Sequence, residues 1–293
     1  MDQNTSWKSR MFIWMRNILI PFIVFCILVL LLQNGMIFHH VMDQNSRNFL
    51  QNLPEFYEVE FVSEEGRTHH GMMRLNGHEV APLIIYFGGN GEVSYSHMRV
   101  RELLGHWSYF PGFHYLFIDY EGYGLNSGRA NYRNMQTTAL AAYEYAIQHP
   151  YVDAERIVVM GFSLGTASAV YLGAHRPVAG LILLTPYANG YDLYNNLLPI
   201  FHGPMRLLVR QKLPSEQFAP MVSAPVLIIA SQEDEIIPFS SSEELATLFS
   251  GPVEFMELRG ARHNDVFRWF GVLERIEEFL ERFGDFEVKV EGM

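Results

Sequence analysis

The sequence predicts an α/β domain, a mostly parallel sheet of about eight strands with helices on both faces, behind one N-terminal helix long enough to cross a membrane. Three observations carry this expectation. Strand-like and helical segments alternate from about residue 55 onward, as when crossover helices join the strands of a parallel sheet. The later strand candidates are continuous apolar runs, as strands covered on both faces require. From Asn17 to Met42 there is no Asp, Glu, Lys or Arg.

The N-terminal stretch comes first in the chain. Its centre, Ile18 to Leu32, is continuously apolar, and with Gly35 to Phe38 it reaches the roughly 20 residues that a helix needs to span about 30 Å of hydrocarbon. It lacks the periodic polar face of a buried amphipathic helix. Lys8, Arg10 and Arg16 resemble the basic start of a secretory signal, but the exit, Leu32-Gln33-Asn34-Gly35-Met36, offers no small-x-small cleavage site. Residues 17–38 are therefore expected to be an uncleaved signal anchor. Residues 1–16 are expected in the cytoplasm, because the basic residues precede the span and only Arg47 soon follows it. Everything beyond a linker at 39–54 is then expected outside the cytoplasm, periplasmic or extracellular in a bacterium. Pro21 is expected near the first turn of the span, where no N–H bond is lost.

In the folded domain, 55–285, strands are expected at Tyr57 to Val62, Gly71 to Arg74, Pro82 to Phe87, Tyr115 to Asp119, Ile157 to Gly161, Gly180 to Leu184, Val226 to Ala230 and Val253 to Leu258. The first two alternate more and suit an antiparallel hairpin at the sheet edge. Helices are expected around Ser96 to Leu104, Met135 to His149, Leu164 to Ala174, Ser241 to Phe249 and Val266 to Arg282. The last interleaves Glu274, Glu277 and Glu278 with Leu273, Ile276, Phe279 and Leu280 at helical spacing. Residues 186–222 hold five prolines and read as short helices forming an inserted lid. Residues 286–293 are a tail.

Composition closes off several functions. A formal charge of -11 without a Lys/Arg cluster argues against nucleic acid. The single cysteine, Cys26, lies in the apolar stretch, so no zinc spacing or catalytic thiol is available. The pairs His39-His40 and His69-His70 are unconvincing metal sites, since neighbours on a strand face opposite sides. No metal and no organic cofactor are expected.

The chemistry-bearing string is Gly161-Phe162-Ser163-Leu164-Gly165, between an apolar strand and a helix rich in small residues. A turn this sharp strains the serine backbone and leaves no room for side chains two positions away, hence the glycines. Ser163 is thereby held at the carboxyl edge of the sheet, where ligands bind in open α/β folds. A serine nucleophile needs a base and an orienting acid, in the chain order Ser, acid, His. The loop Ser231-Gln232-Glu233-Asp234-Glu235-Ile236-Ile237-Pro238 follows a late strand and offers three acids; His263 follows the last strand.

Together, Tyr86 to Glu92 (YFGGNGE), Asp119 to Gly128 (DYEGYGLNSG), Gly161 to Gly165 (GFSLG), Ser231 to Pro238 (SQEDEIIP) and Gly260 to Asp265 (GARHND) resemble the α/β-hydrolase superfamily, in its branch of small membrane-anchored serine hydrolases with a serine aminopeptidase-like or lysophospholipase-like domain. The resemblance selects Asp234 as the acid and His263 as the base. It implies an oxyanion hole built from the backbone N–H groups of Asn90 and Leu164. The family's His-Gly-Asn is Gly88-Gly89-Asn90 here, which implies a slightly looser oxyanion loop.

The expected activity is hydrolysis of carboxylic esters or thioesters through a Ser-His-Asp triad and an acyl-enzyme. The apolar lid, with Tyr187, Tyr191, Tyr194, Leu197, Leu198, Phe201, Met205, Leu207 and Leu208, points to a small or lipid-like acyl ester held near the membrane. Tyr123, Tyr187 and Tyr191 are the candidate substrate contacts. The rival enzyme reading is a serine peptidase of the aminopeptidase type, for which the lid offers few acids, chiefly Asp192 and Glu216. The rival of another class is a catalytically silent, membrane-anchored binding protein.

Overall fold

Strands form at Phe56–Val62 (β1), Thr68–Arg74 (β2), Ala81–Phe87 (β3), His114–Ile118 (β4), Val152–Phe162 (β5), Gly180–Leu184 (β6), Val226–Ser231 (β7) and Val253–Leu258 (β8) in a computed structural model that describes residues 3–77, 79–96, 110, 112–197 and 199–284. They make one eight-stranded sheet in the order β1-β2-β4-β3-β5-β6-β7-β8. β1 and β2 pair antiparallel at the edge, and β2 runs antiparallel to β4. All later neighbours are parallel. The expected hairpin and the expected parallel centre are both present.

Helices lie at Gln3–Ile37 (α1), Gln44–Leu50 (α2), Tyr132–Ile147 (α3), Gly165–His175 (α4), Gly190–Leu197 (α5), Ser215–Phe218 (α6), Phe239–Ala246 (α7) and Val272–Leu280 (α8). β3 to β7 are almost wholly buried along their apolar stretches, with one core cluster on each face of the sheet. That double cover explains their unbroken Val, Ile and Leu runs.

Three boundaries differ from expectation for visible reasons. β5 starts five residues early, because a register shift between its pairings with Ala81 and Leu83 carries the charged turn around Asp153 to Arg156 before the apolar run begins. The last expected helix divides into a 3₁₀ turn, His263–Arg268, and α8, because Gly271 takes φ 81° between them. α2 forms inside the expected linker, where the Asp43 carboxylate caps the backbone N–H of Ser46 at 3.0 Å. The expected helix at Ser96 to Leu104 and the tail 286–293 fall largely or wholly outside the described residues.

α1 is one continuous helix through Pro21, which therefore sits in mid-helix and not in a first turn. Membrane helices tolerate such prolines better than soluble ones. Among the described residues α1 is the one helix long and apolar enough to cross a membrane, over Ser9–Gly35, and its most apolar stretch is unburied. Its C-terminal end behaves differently: Gln33 and Phe38 are buried against the domain.

Candidate active site

β5 delivers the chain into a turn at Ser163, which takes φ 50°. The strain is held on both sides. The Ser163 N–H donates to the Leu184 carbonyl at 2.9 Å, and the Thr166 hydroxyl donates to the Ser163 carbonyl at 2.6 Å. A Cβ on Gly165 would lie 2.1 Å from the Phe87 carbonyl oxygen, and one on Gly161 would lie 2.7 Å from the Gly165 carbonyl oxygen. Those two close approaches are the physical reason for glycine on either side.

The loop after β7 carries Asp234 and the loop after β8 carries His263. Ser163 Oγ lies 2.9 Å from His263 Nε2, and His263 Nδ1 lies 2.7 Å from Asp234 Oδ2. The Asp234 side chain is 2% exposed and that of His263 7%. Asp234 Oδ1 accepts the backbone N–H groups of Ile236 and Ile237, each at 2.8 Å. The imidazole packs against the Phe162 ring, centroids 5.3 Å apart. Chain position offers three acids in this loop, of which the resemblance selects Asp234, and the structure gives each a separate partner. Glu233 accepts the Gly260 N–H at 2.6 Å, while Glu235 accepts the His263 N–H at 3.1 Å and pairs with Arg262 at 3.0 Å. The His263 N–H holds the Glu235 carboxyl below its usual range.

Asn90 and Leu164 line the same cavity as Ser163 and His263. The loop carrying Asn90 is firmly held despite Gly88. Glu92 accepts the Gly89 N–H at 2.8 Å and the Tyr86 hydroxyl at 2.9 Å, and the Tyr120 hydroxyl donates to the Gly88 carbonyl at 2.8 Å. A carboxylate from within the loop thus braces the segment that was expected to be loose. Glu92 was legible only as the last letter of the YFGGNGE string, with no hint of its direction.

The cavity has a volume of about 650 Å³. The lid contributes Leu193, Tyr194, Ile200, Phe201 and Val209, and α1 contributes Phe25, Leu28, Val29, Leu32, Gln33 and Ile37. Tyr194 and Phe201 meet the expectation of an apolar roof. Tyr123, Tyr187 and Tyr191 do not line the cavity. Tyr123 is fully buried beneath the loop carrying Asn90, with its hydroxyl donating to Asn90 Oδ1 at 2.7 Å. Tyr187 is fully buried in the core behind Leu164, and burial drives its hydroxyl pKa upward. Tyr191 is half-buried against the core and lies under Arg206, whose guanidinium carbon is 5.0 Å from the ring centroid. Leu207 is 86% exposed, Leu198 lies outside the described residues, and the Leu197 side chain is also undescribed. No feature of the sequence separates lid residues that face inward from those that face outward, because these short helices have too few turns for a periodic pattern.

Comparison with known proteins agrees with this architecture. The family described as serine hydrolase matches residues 123–282. An uncharacterized Mycobacterium tuberculosis protein is 36% identical over 171 residues, 58% of this chain and 60% of its own length. The human alpha/beta hydrolase domain-containing protein 17B is 32% identical over 165 residues, 56% of this chain and 55% of its own. The chain thus spans little more than half the length of these curated relatives. Among solved structures, an esterase of Pyrococcus furiosus superposes with a TM-score of 0.65 at 16% identity, covering 84% of this chain and 97% of that one. The fold is that of the α/β-hydrolases, and the chain belongs to the serine hydrolase family within that superfamily.

Proposed function

We propose that this chain hydrolyses carboxylic esters or thioesters of acyl chains through Ser163, His263 and Asp234. The observation that carries the reading is the hydrogen-bonded line Ser163 Oγ, His263 Nε2, His263 Nδ1, Asp234 Oδ2 at the floor of an apolar cavity.

Ser163 Oγ attacks the carbonyl carbon while His263 Nε2 takes its proton, and Asp234 stabilises the imidazolium and holds its tautomer. The carbonyl electrons move to oxygen, and the backbone N–H groups of Asn90 and Leu164 receive that oxyanion. In comparable enzymes one such donor supplies roughly 3–4 kcal/mol of transition-state stabilisation. When the carbonyl re-forms, the C–O or C–S bond to the leaving group breaks, and the alkoxide or thiolate collects the proton from His263. Water, deprotonated by His263, then attacks the acyl-enzyme, releasing the carboxylic acid and returning the proton to Ser163.

Acyl substrates fit the cavity wall, which is predominantly Leu, Ile, Val and Phe. Among the described residues lining it there is no Asp or Glu to hold a peptide's terminal amine, which weighs against an aminopeptidase. The same reading places α1 in a membrane with its basic N-terminal flank in the cytoplasm and the enzyme on the other side. A fluorophosphonate probe is expected to label the full chain, and Ser163→Ala to abolish both labelling and ester turnover, a loss of at least about 10⁴-fold. Labelling that persists in Ser163→Ala excludes Ser163 as nucleophile; an unlabelled wild type favours the catalytically silent reading.

A further inference from the structure

α1 does more than tether the enzyme. Phe25, Leu28, Val29 and Leu32, all within its apolar span, form one wall of the cavity above Ser163. Burial along this wall changes in one step: Phe25 is 43% exposed, Leu28 47% and Leu32 55%, whereas Gln33 is 7% exposed. The α1 wall is thus exposed at Phe25, Leu28 and Leu32 and held against the domain from Gln33 on.

The held end is latched. Gln33 Nε2 donates to the Leu208 carbonyl at 3.0 Å, the Arg210 N–H donates to Gln33 Oε1 at 2.8 Å, and Gln211 Nε2 donates to Asn34 Oδ1 at 3.0 Å. Asn90 Nδ2 donates to the Ile37 carbonyl at 2.5 Å, and Asn90 Oδ1 accepts the His39 N–H at 3.0 Å. Helix, lid and oxyanion loop are therefore one joined unit. The 27 residues of Ser9–Gly35 rise about 40 Å at helical pitch, roughly 10 Å more than a hydrocarbon core. Counted from Asn17, the first residue of the expected anchor, Phe25 and Leu28 lie about 12 and 17 Å into the hydrocarbon and Gln33 about 24 Å, while Ile37 reaches the head groups on the far side at about 30 Å. The polar end of the cavity, with Ser163, His263, Asn90 and His39, belongs to that head-group level.

We propose that the cavity is loaded from the bilayer: a single acyl chain enters from among the lipid tails past Phe25 and Leu28, and its ester carbonyl reaches Ser163 at head-group depth. α1 is then a wall of the acyl site and sets the chain length accepted. The cavity volume of about 650 Å³ suits one such chain, since pockets for a single small ligand run roughly 300–1,000 Å³. This inference rests on the acyl-transfer reading above.

The test uses the full chain reconstituted in phosphatidylcholine vesicles and a series of p-nitrophenyl esters from acetate to palmitate. Leu28→Trp and Val29→Trp fill the wall and are expected to lower kcat/KM for palmitate about tenfold or more while leaving acetate within about twofold. Ile27→Trp, on the same turn but off the cavity, is expected to leave both unchanged. Equal effects on short and long esters, or an Ile27→Trp variant that matches the other two, overturn the proposal. Fluorophosphonate labelling at the wild-type rate certifies folding. If a Trp variant fails to label, Leu28→Ala and Val29→Ala replace it and are expected to move the optimum to longer chains; an unmoved optimum overturns the proposal. Entry is tested with monoacylglycerol placed in the enzyme's own vesicles or in separate ones. Faster turnover in the shared membrane supports entry from the bilayer, and equal rates overturn it. A wild type that cleaves no ester of any length overturns the acyl-transfer reading instead.

Discussion

Asp234 accepts two backbone N–H groups on one carboxylate oxygen and the His263 ring on the other, so both oxygens are held. This fixes the side chain before any substrate arrives. Asp234→Asn keeps the shape but offers an amide N–H where the imidazole N–H must donate, so the wrong tautomer faces Ser163. Its kcat is expected to fall on the order of 10⁴-fold with KM little changed, measured on a soluble short-chain ester. Chain order and the resemblance singled out Asp234 from its neighbours Glu233 and Glu235, but nothing local to three consecutive acids says which one turns inward. Packing does: Asp234 is buried against the His263 ring, while Glu233 and Glu235 bind backbone N–H groups at the rim.

The loop after β4 shows how an element can hold a charge for geometry. Asp119 is buried; its carboxylate accepts the Ser94 N–H at 2.7 Å, and a Cβ on Gly124 would lie 1.7 Å from its other oxygen. Burial, reinforced by the charge of Glu92 and opposed by the Ser94 and Leu125 hydrogen bonds, pushes the Asp119 pKa up to about 6 from 3.8. The folded state therefore holds this proton more tightly than the unfolded chain, and stability falls as pH rises from about 4 to 6. Two pH units correspond to roughly 3 kcal/mol at full effect. Asp119→Asn removes this dependence. The difference in Tm between the variant and the wild type is expected to move in the variant's favour between pH 4 and 6 and to level off above; a difference independent of pH contradicts it. The sequence shows this loop only as the string Asp119 to Gly128, while the burial of the carboxylate depends on Ser94, 25 residues earlier in the chain.

Hydrogen bonds join α1 to the lid and to the loop carrying Asn90, so the side of a membrane on which Ser163 lies follows the direction of α1. If the basic flank is cytoplasmic, a membrane-impermeant fluorophosphonate is expected to label Ser163 in intact cells with no permeabilisation; labelling only after permeabilisation reverses the orientation.

The alternation of apolar runs and helices, the G-x-S-x-G turn and the order of acid and base were readable in one dimension. Each reflects a local rule: strand cover, backbone strain, or the position of a loop after a strand. The assignment of α1 as a wall of the active-site cavity was not readable. A helix apolar on all sides shows no preferred face, and the contacts that select one join Gln33 to Leu208 and Arg210, 175 and 177 residues away. The same holds for the brace of Glu92 and for the three tyrosines that lie off the cavity. Local patterns state which residues want burial or a special backbone angle; where a side chain points is settled by partners that only the folded chain brings near.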